Sequence, residues 1–104
     1  PAPDAAAVAR GQALFEDTTH AACTTCHSGP ELTNNSTTDV GTGGKFQVPR
    51  LIGLGWRAPF LHDGCAATLT DRFTGCGGTS DLHGVTSQLT AGQISDLVAY
   101  LQTL

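Results

Sequence analysis

Cys23-Thr24-Thr25-Cys26-His27 decides the reading of this chain. Two cysteines separated by two residues, with a histidine directly after the second, form the attachment signature of c-type haem. One turn of chain carries both thiols to the two vinyl groups of a porphyrin, and the adjacent imidazole then faces the iron. The motif assigns Cys23 and Cys26 to the thioethers of one covalent haem c, and His27 to the proximal iron position. Two other chemistries use a CxxC pair and fit less well. Zinc takes four ligands at paired spacings, and Cys65 and Cys76 have no CxxC partner of their own. A thioredoxin-like pair belongs on a βαβ background, which this chain lacks.

With 104 residues, the chain reads as one domain over 1–104, with Pro1 to Pro3 as a linker or terminal tail. A core of that size gives modest stability alone, and a covalent haem would supply much of what is missing. Thirteen glycines, five prolines and 13% charged residues favour loops and short helices wrapped around a cofactor. The formal net charge is -4 and no run of Lys or Arg occurs, which argues against nucleic acid and anionic membranes and for redox partner proteins. No stretch approaches the ~20 apolar residues of a membrane span. The start Pro1-Ala2-Pro3-Asp4 is not a signal peptide, so the chain reads as mature or as cut from something longer. Thioether attachment takes place outside the cytoplasm, so a periplasmic or extracellular bacterial location is expected. Cys65 and Cys76 are available there to pair as a disulfide, a short crosslink of roughly 3 kcal/mol that would fix a loop.

Asp4 is an N-cap for a helix through Ala5-Ala6-Ala7-Val8 to Glu16. Gly11 inside it costs about 1 kcal/mol relative to Ala, which predicts a close helix crossing. The partner is the last segment. Thr90-Ala91-Gly92-Gln93 is a capping box, and Ile94, Leu97, Val98, Leu101 and Leu104 fall on one helical face, with Tyr100 beside it to meet Gly11 and Phe15. A short helix is expected from Pro49 to Ile52, stopped by Gly53 and Gly55, and another from Thr68 to Phe73. Residues 33–44 read as a surface loop, and Ser28-Gly29-Pro30 as a break with a carbonyl for the His27 Nδ1 proton.

The chain has no methionine, which excludes the His/Met ligation of many c-type cytochromes. The histidines left are His20, His62 and His83, with a Cys65 or Cys76 thiolate, water or an open site as the remaining options. His20 is three residues before Cys23 and reads as solvated. His83 lies in a flexible stretch just before the terminal helix, where a distal loop is expected; His62 is the alternative. Arg50, Trp56 and Arg57 are candidates for the haem propionates, because guanidinium and indole donors suit carboxylates.

The chain resembles the second haem domain of bacterial di-haem cytochrome c peroxidases and their MauG-like relatives. The residues that carry the resemblance are residues 23–30, Lys45-Phe46-Gln47-Val48-Pro49-Arg50-Leu51, Ala58-Pro59-Phe60-Leu61-His62-Asp63-Gly64, Ala67-Thr68-Leu69 and Asp96-Leu97-Val98-Ala99-Tyr100-Leu101. It implies an all-α, class I cytochrome c-like fold with crossing terminal helices. It also implies that the distal ligand comes from the loop after Ala67-Thr68-Leu69, where relatives place a methionine or a tyrosine. That region here holds Cys76 and then His83, so pairing of Cys76 with Cys65 and ligation by His83 are inferred, with His62 beside the haem rather than on the iron.

The peroxidases need two haems and this chain has one CxxCH, so electron transfer is expected rather than catalysis. The expected protein is a monohaem, bis-His carrier of one electron, of lower potential than a His/Met cytochrome. Two alternatives are an open distal site doing peroxide or small-gas chemistry, and a haem module excised from a larger multidomain redox protein.

Overall fold

The Asp4 carboxylate accepts the Ala7 N–H at 3.2 Å and so starts helix α1, Ala5–Glu16, at its expected cap. The computed structural model describes residues 3–104; of the expected linker, Pro1 and Ala2 lie outside the described residues. Thr68 and Asp71 close a capping box at the head of α2, Leu69–Thr74, and Thr90 and Gln93 close another at the head of α3, Ala91–Leu101. Reciprocal side-chain bonds of this kind satisfy two otherwise free backbone donors at each helix start.

Helices α1 and α3 cross at Gly11. A side chain there would collide with the Asp96 carbonyl and with Tyr100 Cβ, so only glycine permits the approach. Phe15 and Tyr100 pack beside the crossing with ring centroids 5.3 Å apart. Arg10 clamps its outer edge with two bonds to the Asp96 carboxylate, at 2.8 and 3.1 Å.

Two expectations are corrected. The fold is not strictly all-α: strands β1, Thr37–Asp39, within the stretch expected to be a surface loop, and β2, Lys45–Gln47, just after it, form an antiparallel hairpin. Its register pairs Thr37 with Gln47, Thr38 with Phe46 and Asp39 with Lys45, and the Asp39 side chain accepts the Gly41 N–H at 2.8 Å to turn the chain. Three-residue strands are too short to leave an alternating pattern in the sequence. Nor does a helix form from Pro49 to Ile52. Val48 continues the hairpin by donating to the Ser36 carbonyl at 2.8 Å, Leu51 is drawn into the core, and Gly53, at φ 75°, opens a 3-10 turn over Leu54–Trp56 instead.

The core is Phe15, Leu51, Leu69, Phe73, Leu97 and Leu101. All six also line one cavity, so the core is built around a space rather than closed on itself.

Candidate functional site

The cavity measures about 400 Å³, within the ~300–1,000 Å³ of small-molecule and cofactor sites. One wall is the attachment motif. Ala22, in the left-handed region at φ 61°, caps a 3-10 turn over Cys23–Thr25, and the His27 N–H returns to the Cys23 carbonyl at 2.9 Å. This tight turn presents Cys23, Cys26 and His27 to the cavity, both cysteines outside any disulfide. His27 Nδ1 donates to the Leu32 carbonyl at 3.1 Å, two residues past the break in which an acceptor was expected. That bond leaves Nε2 as the nitrogen free to bind a metal. Burial holds His27 below the usual imidazole range, against the opposing effect of the Leu32 carbonyl. Burial also pushes the Cys23 thiol up.

The facing wall carries His83. Its ring centroid stands 6.2 Å from that of His27, with the two planes inclined at 45°. Burial, reinforced by the positive charge of Arg72, holds His83 down to about 3, so its imidazole is neutral and available as a donor. The loop bearing it is fixed at several points. Val85 donates to the Ala21 carbonyl at 2.9 Å, which ties the loop to the segment just before the cysteines. Gly84 lies at φ +71°, where a Cβ would come within 2.8 Å of that same carbonyl. Asp81 accepts the Thr86 and Ser87 N–H groups and the Ser87 hydroxyl. Upstream, Cys65 and Cys76 form a disulfide with Cα atoms 5.8 Å apart.

The other candidates are spread out. His20 lies on the surface against Asp17 at 2.6 Å. His62 lines the cavity mouth, bonded through Nε2 to the Thr42 carbonyl at 2.9 Å and stacked on Phe46 with centroids 3.6 Å apart. Arg57 reaches the cavity while donating to the Arg50 carbonyl. Arg50 itself pairs with Glu31 at 3.5 Å and does not line the cavity. Trp56 is 94% exposed, with its indole in solvent. Sequence reasoning passed over Arg72, in α2, which lines the cavity and donates to the Thr86 hydroxyl at 3.0 Å and to the His83 carbonyl. A lone cation inside Asp71-Arg72-Phe73 gives no sign of pointing inward. Thr42 was missed as well; its buried hydroxyl has no protein partner and borders the cavity.

These residues fit a haem. Two thiols and an imidazole share one wall, a neutral imidazole faces them, and the six core leucines and phenylalanines all contribute to the lining. Among the described residues no three His, Cys, Asp or Glu side chains converge to hold a metal unaided, so the donor set suits an iron whose remaining positions come from a porphyrin.

Comparison with known proteins agrees. The family described as cytochrome c matches residues 8–104. Hydrazine synthase subunit gamma of Kuenenia stuttgartiensis is 28% identical over an alignment spanning 91% of this chain and 40% of that subunit. A chain of Kuenenia stuttgartiensis hydrazine synthase, solved under 20 bar xenon, superposes with a TM-score of 0.87 at 27% identity, covering all of this chain and 49% of that one. The chain thus spans less than half the length of these relatives.

Proposed function

This chain belongs to the cytochrome c family and holds haem c covalently, and we propose that it carries one electron at a time on a single bis-histidine haem, outside the cytoplasm of a bacterium. When bound, the haem supplies an iron that alternates between ferric and ferrous. Cys23 and Cys26 would hold the porphyrin, and His27 and His83 would hold the iron. Arg57 and Thr42 offer donors at the cavity wall for the propionates.

The observation that carries this reading is the pairing of His27 and His83. Imidazole nitrogens on either side of one first-row metal ion, each bonded at ~2.0–2.1 Å, put their ring centres roughly 6 Å apart. The 6.2 Å found supports that arrangement. The likeness to the second haem domain of the di-haem peroxidases supports the same loop as the source of the distal ligand. Two imidazoles on the iron would leave no site for peroxide, which favours electron transfer at a potential below the His/Met range.

The test is the ferric spectrum of wild type, His83→Ala and His62→Ala by electron paramagnetic resonance. Wild type and His62→Ala are expected to be low-spin bis-imidazole, and His83→Ala high-spin with rapid carbon monoxide binding once reduced. An unchanged low-spin signal in His83→Ala overturns the assignment.

A second reading is favoured by coverage. The matched relatives are much longer, and one is a subunit of hydrazine synthase, so this domain would serve as an internal electron relay within a larger redox assembly. The mass of the native haem protein, read by light scattering after gel filtration, separates a free carrier from an assembled one.

A further inference from the structure

Arg72 is a cation without a paired carboxylate. The ion pairs among the described residues are Arg10–Asp96, His20–Asp17 and Arg50–Glu31. Asp81 lies near enough to favour the charged guanidinium, but its oxygens are engaged by Thr86 and Ser87. The guanidinium instead sits over the Phe73 ring, 4.6 Å from its centroid, and spends its donors on neutral groups: the Thr86 hydroxyl and the His83 carbonyl. Thr86 is 2% exposed and donates onward to the Gly78 carbonyl at 2.9 Å. A planar fork thus holds the loop that faces His27 at the His83 carbonyl and, three residues on, at Thr86, and its positive charge stays at the cavity wall.

We propose that Arg72 positions the distal loop through His83 and Thr86, and that its charge raises the reduction potential of the haem. The first half rests on the bis-histidine reading; the second holds for any distal ligand. Reduction adds one electron from the donor, with no bond made or broken, and lowers the charge of the site by one. A fixed cation nearby disfavours the more positive ferric state and so favours the electron's arrival. Arg72 thereby offsets part of the lowering that two imidazoles impose.

Spectroelectrochemistry and cyanide binding on the haem-loaded protein test both halves. In Arg72→Gln, the ratio of reduced to oxidised haem at the wild-type midpoint is expected to fall three- to tenfold, tenfold being 59 mV for one electron. Arg72→Lys keeps the charge and loses the fork, so its midpoint stays within twofold while cyanide enters at least tenfold faster. A midpoint in Arg72→Gln equal to wild type overturns the charge role, and wild-type cyanide kinetics in Arg72→Lys overturn the positioning role. Arg72→Met is the second neutral variant. If neither neutral variant loads haem while Arg72→Lys does, the cation is a folding element and the charge role also fails. The wild-type low-spin signature separately decides the bis-histidine reading.

Discussion

The imidazoles of His27 and His83 stand across the cavity from each other, ring centroids 6.2 Å apart, one anchored to the Leu32 carbonyl and the other carried on a loop tied to Ala21. Both are held neutral. An unfolded histidine takes up its proton near pH 6.5, whereas folded His83 does so only at about 3 through burial and the Arg72 charge alone, and a metal on its free nitrogen would withhold the proton further. Between these values the unfolded chain binds more protons than the folded one, so stability falls as pH falls through that window. Asp81 acts in the same direction: the Ser87 and Thr86 donors hold its carboxylate below the usual range, and what it contributes is lost under acid. Urea midpoints of the loaded protein at pH 7, 5.5 and 4 are expected to decline steadily. A flat series would contradict the neutral, inward-facing state of His83.

Gly11→Ala is expected to destabilise the protein by about 1–3 kcal/mol, because the added methyl meets the Asp96 carbonyl across the α1–α3 crossing. Thermal unfolding followed by circular dichroism should show the loss as a drop in Tm of at least about 4 °C. A helix-propensity gain of about 1 kcal/mol opposes it, so an unchanged or raised Tm would mean that the helices can separate cheaply.

Replacing Cys65 and Cys76 together by serine removes a crosslink between residues 11 apart and is expected to cost roughly 3 kcal/mol. Haem attachment, read by mass, is expected to be unaffected, since the attachment motif at Cys23 and Cys26 lies outside the crosslink. Loss of covalent haem in this variant would show that the loop must be pinned before attachment.

Cys23→Ser with Cys26→Ser removes the covalent hold. Since all six core residues line the cavity, a chain without the group leaves about 400 Å³ unfilled. Those core side chains would then face water, which removes much of the burial on which the roughly 5–15 kcal/mol stability of a small domain rests. Far-ultraviolet circular dichroism of the double variant is expected to show no cooperative unfolding transition.

Trp56→Ala is expected to leave the haem spectrum and potential unchanged, and stability within about 0.5 kcal/mol, because the indole is 94% exposed and touches no part of the cavity. A shifted midpoint would return Trp56 to the propionates.

What the sequence disclosed was mostly local chemistry. Caps at Asp4, Thr68 and Thr90 act over three residues, and the need for glycine at position 11 follows from its place inside a helix. The CxxCH turn is equally short-range. The hairpin escaped because its strands are three residues long, and the Pro49 segment because packing of Leu51 outweighs a helix-start signal. Propionate candidates chosen by donor type alone divided in space: Arg57 lines the cavity, Arg50 turns to Glu31 and Trp56 to solvent. Arg72 was invisible for the converse reason, since what sets it apart is the carbonyl it reaches eleven residues away.

The bond from Val85 to the Ala21 carbonyl joins the chain that bears His83 to the chain that bears Cys23, Cys26 and His27. The two walls of the cavity are therefore tied directly by backbone. A site that shifts little when its charge changes has a small reorganisation energy, and small reorganisation makes for fast electron exchange. A single backbone contact between the two loops would in this way favour fast exchange at the proposed haem.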